Sequence, residues 1–240
     1  MKKYALILLA VLGFSYVSNA QPPKYDDLTI LFADANYVKL VDECLKYNDR
    51  KSTSRDALPY LYLAKAYYSI SQQGDRPAEY KNAFKYAASA MRKFLRYDKQ
   101  HEYADESDEF LEKYKAAAAE DILNNLDAKD YRKLHSSIST YKKVSADNLG
   151  VQYLDAAGKY LSGDRSSYTQ MLRDLSPEFK ALKDLNGASP TDIKLYKKGF
   201  ITVAQVMIKT KQVDKAKEFL DKAQSLIQEE DFKKECAALF

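Results

Sequence analysis

From Tyr37 to the end of the chain, apolar residues return at steps of three and four, the period of a helix with one buried face. One helical phrase occurs five times, beginning at Tyr37, Tyr80, Tyr131, Tyr168 and Val213. Three residues on stand Leu40, Ala83, Leu134, Met171 and Ala216; seven on stand Cys44, Ala87, Ile138, Leu175 and Leu220. Four copies continue at offset ten with Tyr47, Ala90, Tyr141 and Ala223, whereas the fourth breaks there with Glu178, just after Pro177. Offsets of 0, 3, 7 and 10 mark one face of a helix, so each copy predicts a helix buried on that face. A further apolar helix precedes each copy, over 28–32, 58–70, 110–126, 149–161 and 193–208. No strand is predicted.

The segments joining the two helices of each unit include Ala33-Asp34-Ala35-Asn36, Asp127-Ala128-Lys129-Asp130, Gly163-Asp164-Arg165 and Lys209-Thr210-Lys211-Gln212. Turn and cap formers dominate them, so each predicts an antiparallel helical pair. The second unit has a longer connection, Ser71-Gln72-Gln73-Gly74-Asp75-Arg76 and onward through Pro77.

Two copies carry a resemblance to a known family. In the last, Phe200, Val203, Ala204 and Met207 are followed by Ala216, Leu220 and Ala223; in the second, Tyr60, Leu63, Ala64 and Tyr67 are followed by Ala83, Ala87 and Ala90. This alternation of small and large residues resembles the tetratricopeptide (TPR) repeat, in which small residues let paired helices approach and large ones fill the space between pairs. The copies are spaced by 43, 51, 37 and 45 residues, wider and less even than the family's usual repeat of about 34. The resemblance implies an all-α fold, a right-handed superhelix of about five helix-turn-helix units near 26–50, 56–98, 107–144, 147–184 and 190–230, within one domain spanning 21–240. A plain helical bundle is the alternative.

The N-terminus adds a compartment. Lys2 and Lys3 precede the apolar run 4–17, then Ser18-Asn19-Ala20 and Gln21-Pro22-Pro23. This is the layout of a cleavable signal peptide over 1–20, cut after Ala20. The run is too short to span a bilayer, which takes about 20 residues, and the residue after the cut is Gln21, not the cysteine of a lipoprotein. The expected product is a periplasmic or secreted chain with no stable membrane insertion. Losing Lys2 and Lys3 lowers the formal charge from +4 to +2, which argues against nucleic acid as a partner.

Candidate chemistry is sparse. His101 and His135 lie in different units, and neither has a second ligand at metal-binding spacing. The acids of 102–112 lack the alternating carboxylates and central glycine of a calcium loop, and read instead as the solvated start of a helix. The 7 glycines never cluster into a phosphate loop. No acid, base and nucleophile share a motif, so no enzyme, cofactor or metal is expected; carboxylates such as Glu120 and Asp121 would have to converge in the fold. Cys44 and Cys236 are the only cysteines. The repeat reading puts them too far apart to bridge and favours two buried thiols.

The family's usual concave groove, carried over position by position, implies partner contacts at Leu61, Lys65 and Tyr68 in the second unit and at Lys198, Ile201, Gln205 and Lys209 in the last. Lysines beside apolar residues suit a protein or peptide partner with an acidic segment and apolar anchors. Leu61 and Lys65 stand where chaperone-binding members carry the Lys and Asn of a carboxylate clamp, so that specificity is not implied. The function expected is a scaffold or adaptor for protein–protein interaction, in envelope or secretion-complex assembly. The alternative is a module for a glycan or other envelope ligand, with Tyr62 and Tyr68 as stacking platforms.

Overall fold

The computed structural model describes residues 25–240; the expected signal peptide and its cleavage site at Ala20 lie outside the described residues. Every regular element among the described residues is helical: α1 (Asp26–Ala33), α2 (Tyr37–Asp49), α3 (Ala57–Ser71), a 3-10 turn (Ala78–Tyr80), α4 (Ala83–Tyr97), α5 (Ala104–Asp127), α6 (Tyr131–Tyr141), α7 (Leu149–Leu161), α8 (Arg165–Ala181), α9 (Pro190–Lys209), α10 (Val213–Leu226) and α11 (Glu230–Ala237). The fold is all-α, as the periodicity predicts. Each helix expected from the pattern is present, with boundaries that differ at identifiable places. The second copy becomes helical at Ala83, because Pro77 and the 3-10 turn delay the regular hydrogen-bond ladder past Tyr80. α8 continues through Pro177 to Ala181; Pro177 is exposed, so water can take the carbonyl that the proline leaves unbonded. α11 has no counterpart in the pattern and buries Phe232 and Cys236.

Four helix-to-helix turns share one geometry. Two residues past the ends of α1, α5, α7 and α9 stand Ala35 (φ 53°), Lys129 (φ 57°), Gly163 (φ 98°) and Lys211 (φ 62°), all in left-handed backbone, and the next helix starts two residues later. The residue following each one donates its N–H to the carbonyl five positions back along the chain. Asn36 bonds to the Leu31 carbonyl at 3.0 Å, Asp130 to Asn125 at 3.0 Å, Asp164 to Lys159 at 2.8 Å and Gln212 to Met207 at 2.9 Å. This Schellman closure satisfies carbonyls that the helix end would otherwise leave unpaired. Asp130 and Asp164 then cap the helices that follow, accepting from the N–H of Lys133 and Ser167.

The residue order of the contacts sets the direction of neighbouring helices. Between α1 and α3, Tyr25 bonds to Asp56 and Thr29 to Tyr62; between α3 and α5, Lys65 pairs with Glu106 and Tyr68 packs on Phe110 and Tyr114. Contacts that advance together mean parallel helices, so α1, α3 and α5 run in one direction. α4 and α6 are likewise parallel, through Lys85 with Ser136 and Ser89 with Lys143, two residues past the end of α6. So are α7 and α9, through Asn148 with Asp192 and Tyr153 with Phe200. One departure breaks a simple succession: α9 also reaches α5, through Lys115 with Asp192 and Lys198 with Asp127.

Two apolar clusters fill the interior. The first runs from α1 to α7 and takes in Leu195 of α9, with Tyr114, Tyr141, Phe94 and Leu40 among its fully buried members. The second runs from α7 to α11 around the mutually packed rings of Tyr153, Phe179, Phe200 and Phe219. α7 and α9 meet at a glycine pair: a Cβ built on Gly150 would lie 2.3 Å from Tyr196 Cα, and one on Gly199 would lie 2.1 Å from the Gly150 carbonyl oxygen.

Candidate functional site

The seven residues expected to line a groove do not form one open surface. Leu61 (0% exposed), Ile201 (3%) and Tyr68 (8%) are core residues. The apolar anchors of the expected groove are therefore unavailable to a partner in this conformation. The cause is the number of neighbours: α3 is packed by α1, α2, α4 and α5, and α9 by α5, α7, α10 and α11, which leaves little of either helix uncovered. Lys65 is half-buried, its ammonium 5.8 Å from the Phe32 ring centre and 5.3 Å from that of Tyr62. Its charge is answered by Glu106 at 3.5 Å. Lys198 is half-buried and 3.7 Å from Asp127. Gln205 and Lys209 are exposed. Tyr62, the other tyrosine considered as a stacking platform, is buried and its hydroxyl bonds to Thr29.

The densest polar chemistry lies elsewhere, where α5, α6, α7 and α9 converge. The carboxylate of Asp192 accepts from Tyr141 Oη at 2.7 Å, Asn148 Nδ2 at 2.8 Å, Ser189 Oγ at 2.9 Å, Ser145 Oγ at 3.2 Å, and from the Lys115 ammonium. Burial by itself would raise the Asp192 pKa, but the hydrogen bonds from Lys115, Tyr141 and Asn148 and the Lys115 charge outweigh it and hold the group at about 2. Burial, reinforced by the Asp192 carboxylate, pushes the Tyr141 phenol far above its ordinary value. The sequence carries a partial signal for this cluster. Ser189 stands three residues before Asp192, as an N-cap should, and its hydroxyl accepts the Asp192 N–H at 3.2 Å. Lys115 interrupts an otherwise apolar face of α5 between Tyr114 and Ala118.

Lys115 Nζ also lies 3.2 Å from Ser189 Oγ, a serine–lysine contact that invites a nucleophile reading. Its surroundings argue for a different role. Nζ faces three oxygen acceptors, on Glu112 at 2.8 Å, Ser189 and Asp192, which is the environment of an ammonium donor and not of a base with a free lone pair. The cluster joins helices of the two cores.

His135 directs Nδ1 at Asp155 Oδ1, 2.6 Å away, and its Nε2 is buried without a hydrogen-bond partner. The pair has the orientation of a histidine held by a carboxylate, but no hydroxyl or thiol contacts Nε2. His101 is exposed in left-handed backbone (φ 54°). The acids from Asp105 to Glu109 occupy the first turns of α5 and are exposed. Glu120 and Asp121 do come together, on the wall of an open cleft of about 460 Å3 that Ser71, Asn82, Lys81 and Lys85 also line. Asp121 is bonded to Ser137 and Asn125, and Ser71 donates to the Tyr68 carbonyl. Among the described residues, no three His, Cys, Asp or Glu side chains are grouped to hold a metal ion. No described helix is long and apolar enough to cross a membrane.

Cys44 sits in the first core and Cys236 on α11 in the second, and both are free thiols. Burial raises the pKa of each, that of Cys236 to about 11, so both are poor nucleophiles at neutral pH. Comparisons of the chain with protein-family models, with characterised proteins and with solved structures return no match.

Proposed function

We propose that this protein is an exported TPR-like scaffold that binds a protein partner, with its helical pairs wound as a right-handed superhelix and its mature chain beginning at Gln21. The observation that carries the reading is the fourfold recurrence of one hairpin turn at Ala35, Lys129, Gly163 and Lys211. The same closure at the same place in four helical pairs suits repeated helix-turn-helix units. The parallel course of α1, α3 and α5 supports the same reading. The buried positions of Leu61, Tyr68 and Ile201 move the proposed contact surface off the apolar groove and onto the C-terminal half of α9, where Gln205 and Lys209 are open, with the half-covered Lys198 at mid-helix. A basic edge of that kind suits an acidic segment of a protein partner, most simply a component of an envelope or secretion complex.

In-cell crosslinking of the full chain, followed by identification of the linked protein, tests this. One recurrent envelope partner, lost in a Lys198→Glu/Lys209→Glu variant that still folds, is the expected result. Absence of any crosslinked partner, or the same partner at undiminished yield in the variant, overturns it.

A further inference from the structure

The contact between α4 and α6 gathers positive charge that no carboxylate pairs with among the described residues. Lys85, Ser89 and Arg92 follow one another at steps of four and three on α4; Ser136 and Thr140 lie on α6, and Lys143 stands in the turn two residues past its end. Lys85 Nζ donates to Ser136 Oγ at 2.8 Å, and Lys143 Nζ to Ser89 Oγ at 2.9 Å. Among the described residues, none of Lys85, Arg92 and Lys143 takes part in an ion pair. Two carboxylates, Glu120 and Asp121, share the open cleft with Lys85 without pairing with it, and Asp121 is bonded to Ser137.

We propose that Lys85, Arg92 and Lys143, with Ser89 and Ser136, bind a phosphate group, carried either on a free phosphate ester or on a lipid headgroup. Three like charges, two on α4 and one in the turn that follows α6, repel one another, and neutral serine partners do not offset that repulsion. Lys143 registers it: burial, followed by the charges of Lys85 and Arg92, lowers its pKa. A phosphate monoester brings about 1.5 to 2 negative charges and three acceptor oxygens, which matches three cations better than a single carboxylate does. Arg92 is exposed and offers a planar fork that can hold two of those oxygens. The Ser136 hydroxyl accepts from Lys85 and keeps its own proton to donate, whereas Ser89 gives its proton to the Lys85 carbonyl at 3.0 Å. The inference stands apart from the scaffold reading, because it uses the second helices of two pairs and none of the residues proposed at the α9 edge.

Titration of the folded protein with inorganic phosphate at low ionic strength, followed by calorimetry, is the direct experiment. Saturable binding is expected, weakened roughly tenfold by Lys143→Gln or by Lys85→Gln, the loss of one charge-assisted hydrogen bond. Arg92→Lys should weaken it less than Arg92→Gln. Lys143→Gln removes a repulsive charge, so its melting temperature without phosphate should equal or exceed that of the wild type, which separates lost binding from lost folding. Sedimentation with phosphatidic acid vesicles, whose headgroup is a phosphate monoester, abolished in Lys85→Gln/Lys143→Gln, assigns the phosphate to a headgroup; phosphate binding without sedimentation assigns it to a free ester. No binding by the wild type, binding indifferent to all three cations, or a response to polyglutamate and not to phosphate overturns the proposal.

Discussion

Gly199 rests directly on the backbone of Gly150: a Cβ at position 199 would fall 2.1 Å from the Gly150 carbonyl oxygen and 2.9 Å from its Cα. The atoms met are main chain, not the end of a movable side chain, so relief requires the axes of α7 and α9 to separate. Both helices carry the second core on either side of this crossing, and separation would open contacts such as that between Tyr153 and Phe200.

Gly150→Ala and Gly199→Ala are therefore expected to destabilise the protein. An ordinary helix interior gains about 1 kcal/mol from Gly→Ala; here the overpacking penalty, typically about 1 to 3 kcal/mol and more when backbone must move, exceeds that gain. Chemical denaturation would show a lower midpoint for each variant. Gly74→Ala supplies the comparison, since a Cβ there meets nothing within 4 Å, and its midpoint should stay level or rise. Equal midpoints for Gly199→Ala and the wild type would show that the helices can part without loss.

The left-handed turns predict the opposite behaviour of glycine. Ala35, Lys129 and Lys211 hold φ values of 53°, 57° and 62° in the position that Gly163 fills in its own turn. A side chain in left-handed backbone costs roughly 1 kcal/mol relative to glycine. Part of that is returned to the unfolded chain, whose entropy rises with an added glycine. Ala35→Gly, Lys129→Gly and Lys211→Gly should each raise the melting temperature slightly, while Gly163→Ala should lower it. A fall in stability for all three glycine variants would mean that the unfolded-state term outweighs the relief of backbone strain.

These two sets of glycines show what the sequence makes legible. The five-copy phrase at offsets 0, 3 and 7 locates the second helices because burial of one helical face has a period that can be read along one chain; Leu40, Ala87, Ile138, Leu175 and Leu220 are all buried. The short polar turns locate the hairpins for the same local reason. What faces a residue from another helix has no such period. Gly150 and Gly199 are unremarkable until their helices cross, and Leu61, Tyr68 and Ile201 read as groove residues when α3 and α9 are assumed to have one free side. Asp192 is likewise separated by many residues from Tyr141 and Lys115, and only the meeting of α5, α6 and α9 makes it the centre of a network.

That network makes the final prediction. Lys115→Met leaves the Asp192 carboxylate buried with neutral donors alone, and removing one partner of a buried ion pair costs about 3 to 5 kcal/mol. Lys115→Met/Asp192→Asn removes the stranded charge and should recover part of the loss. The same carboxylate sets a pH dependence. Its folded pKa of about 2 lies below the ordinary aspartate value of 3.8, so its contribution is complete above the unfolded pKa and disappears as pH falls from about 4 toward 2. The wild type should lose stability across that interval more steeply than Asp192→Asn, which has no proton to take up at this site. Denaturation midpoints measured from pH 5 to pH 2 would decide it: parallel curves for the two proteins would mean that the Lys115–Asp192 pair adds nothing to folding.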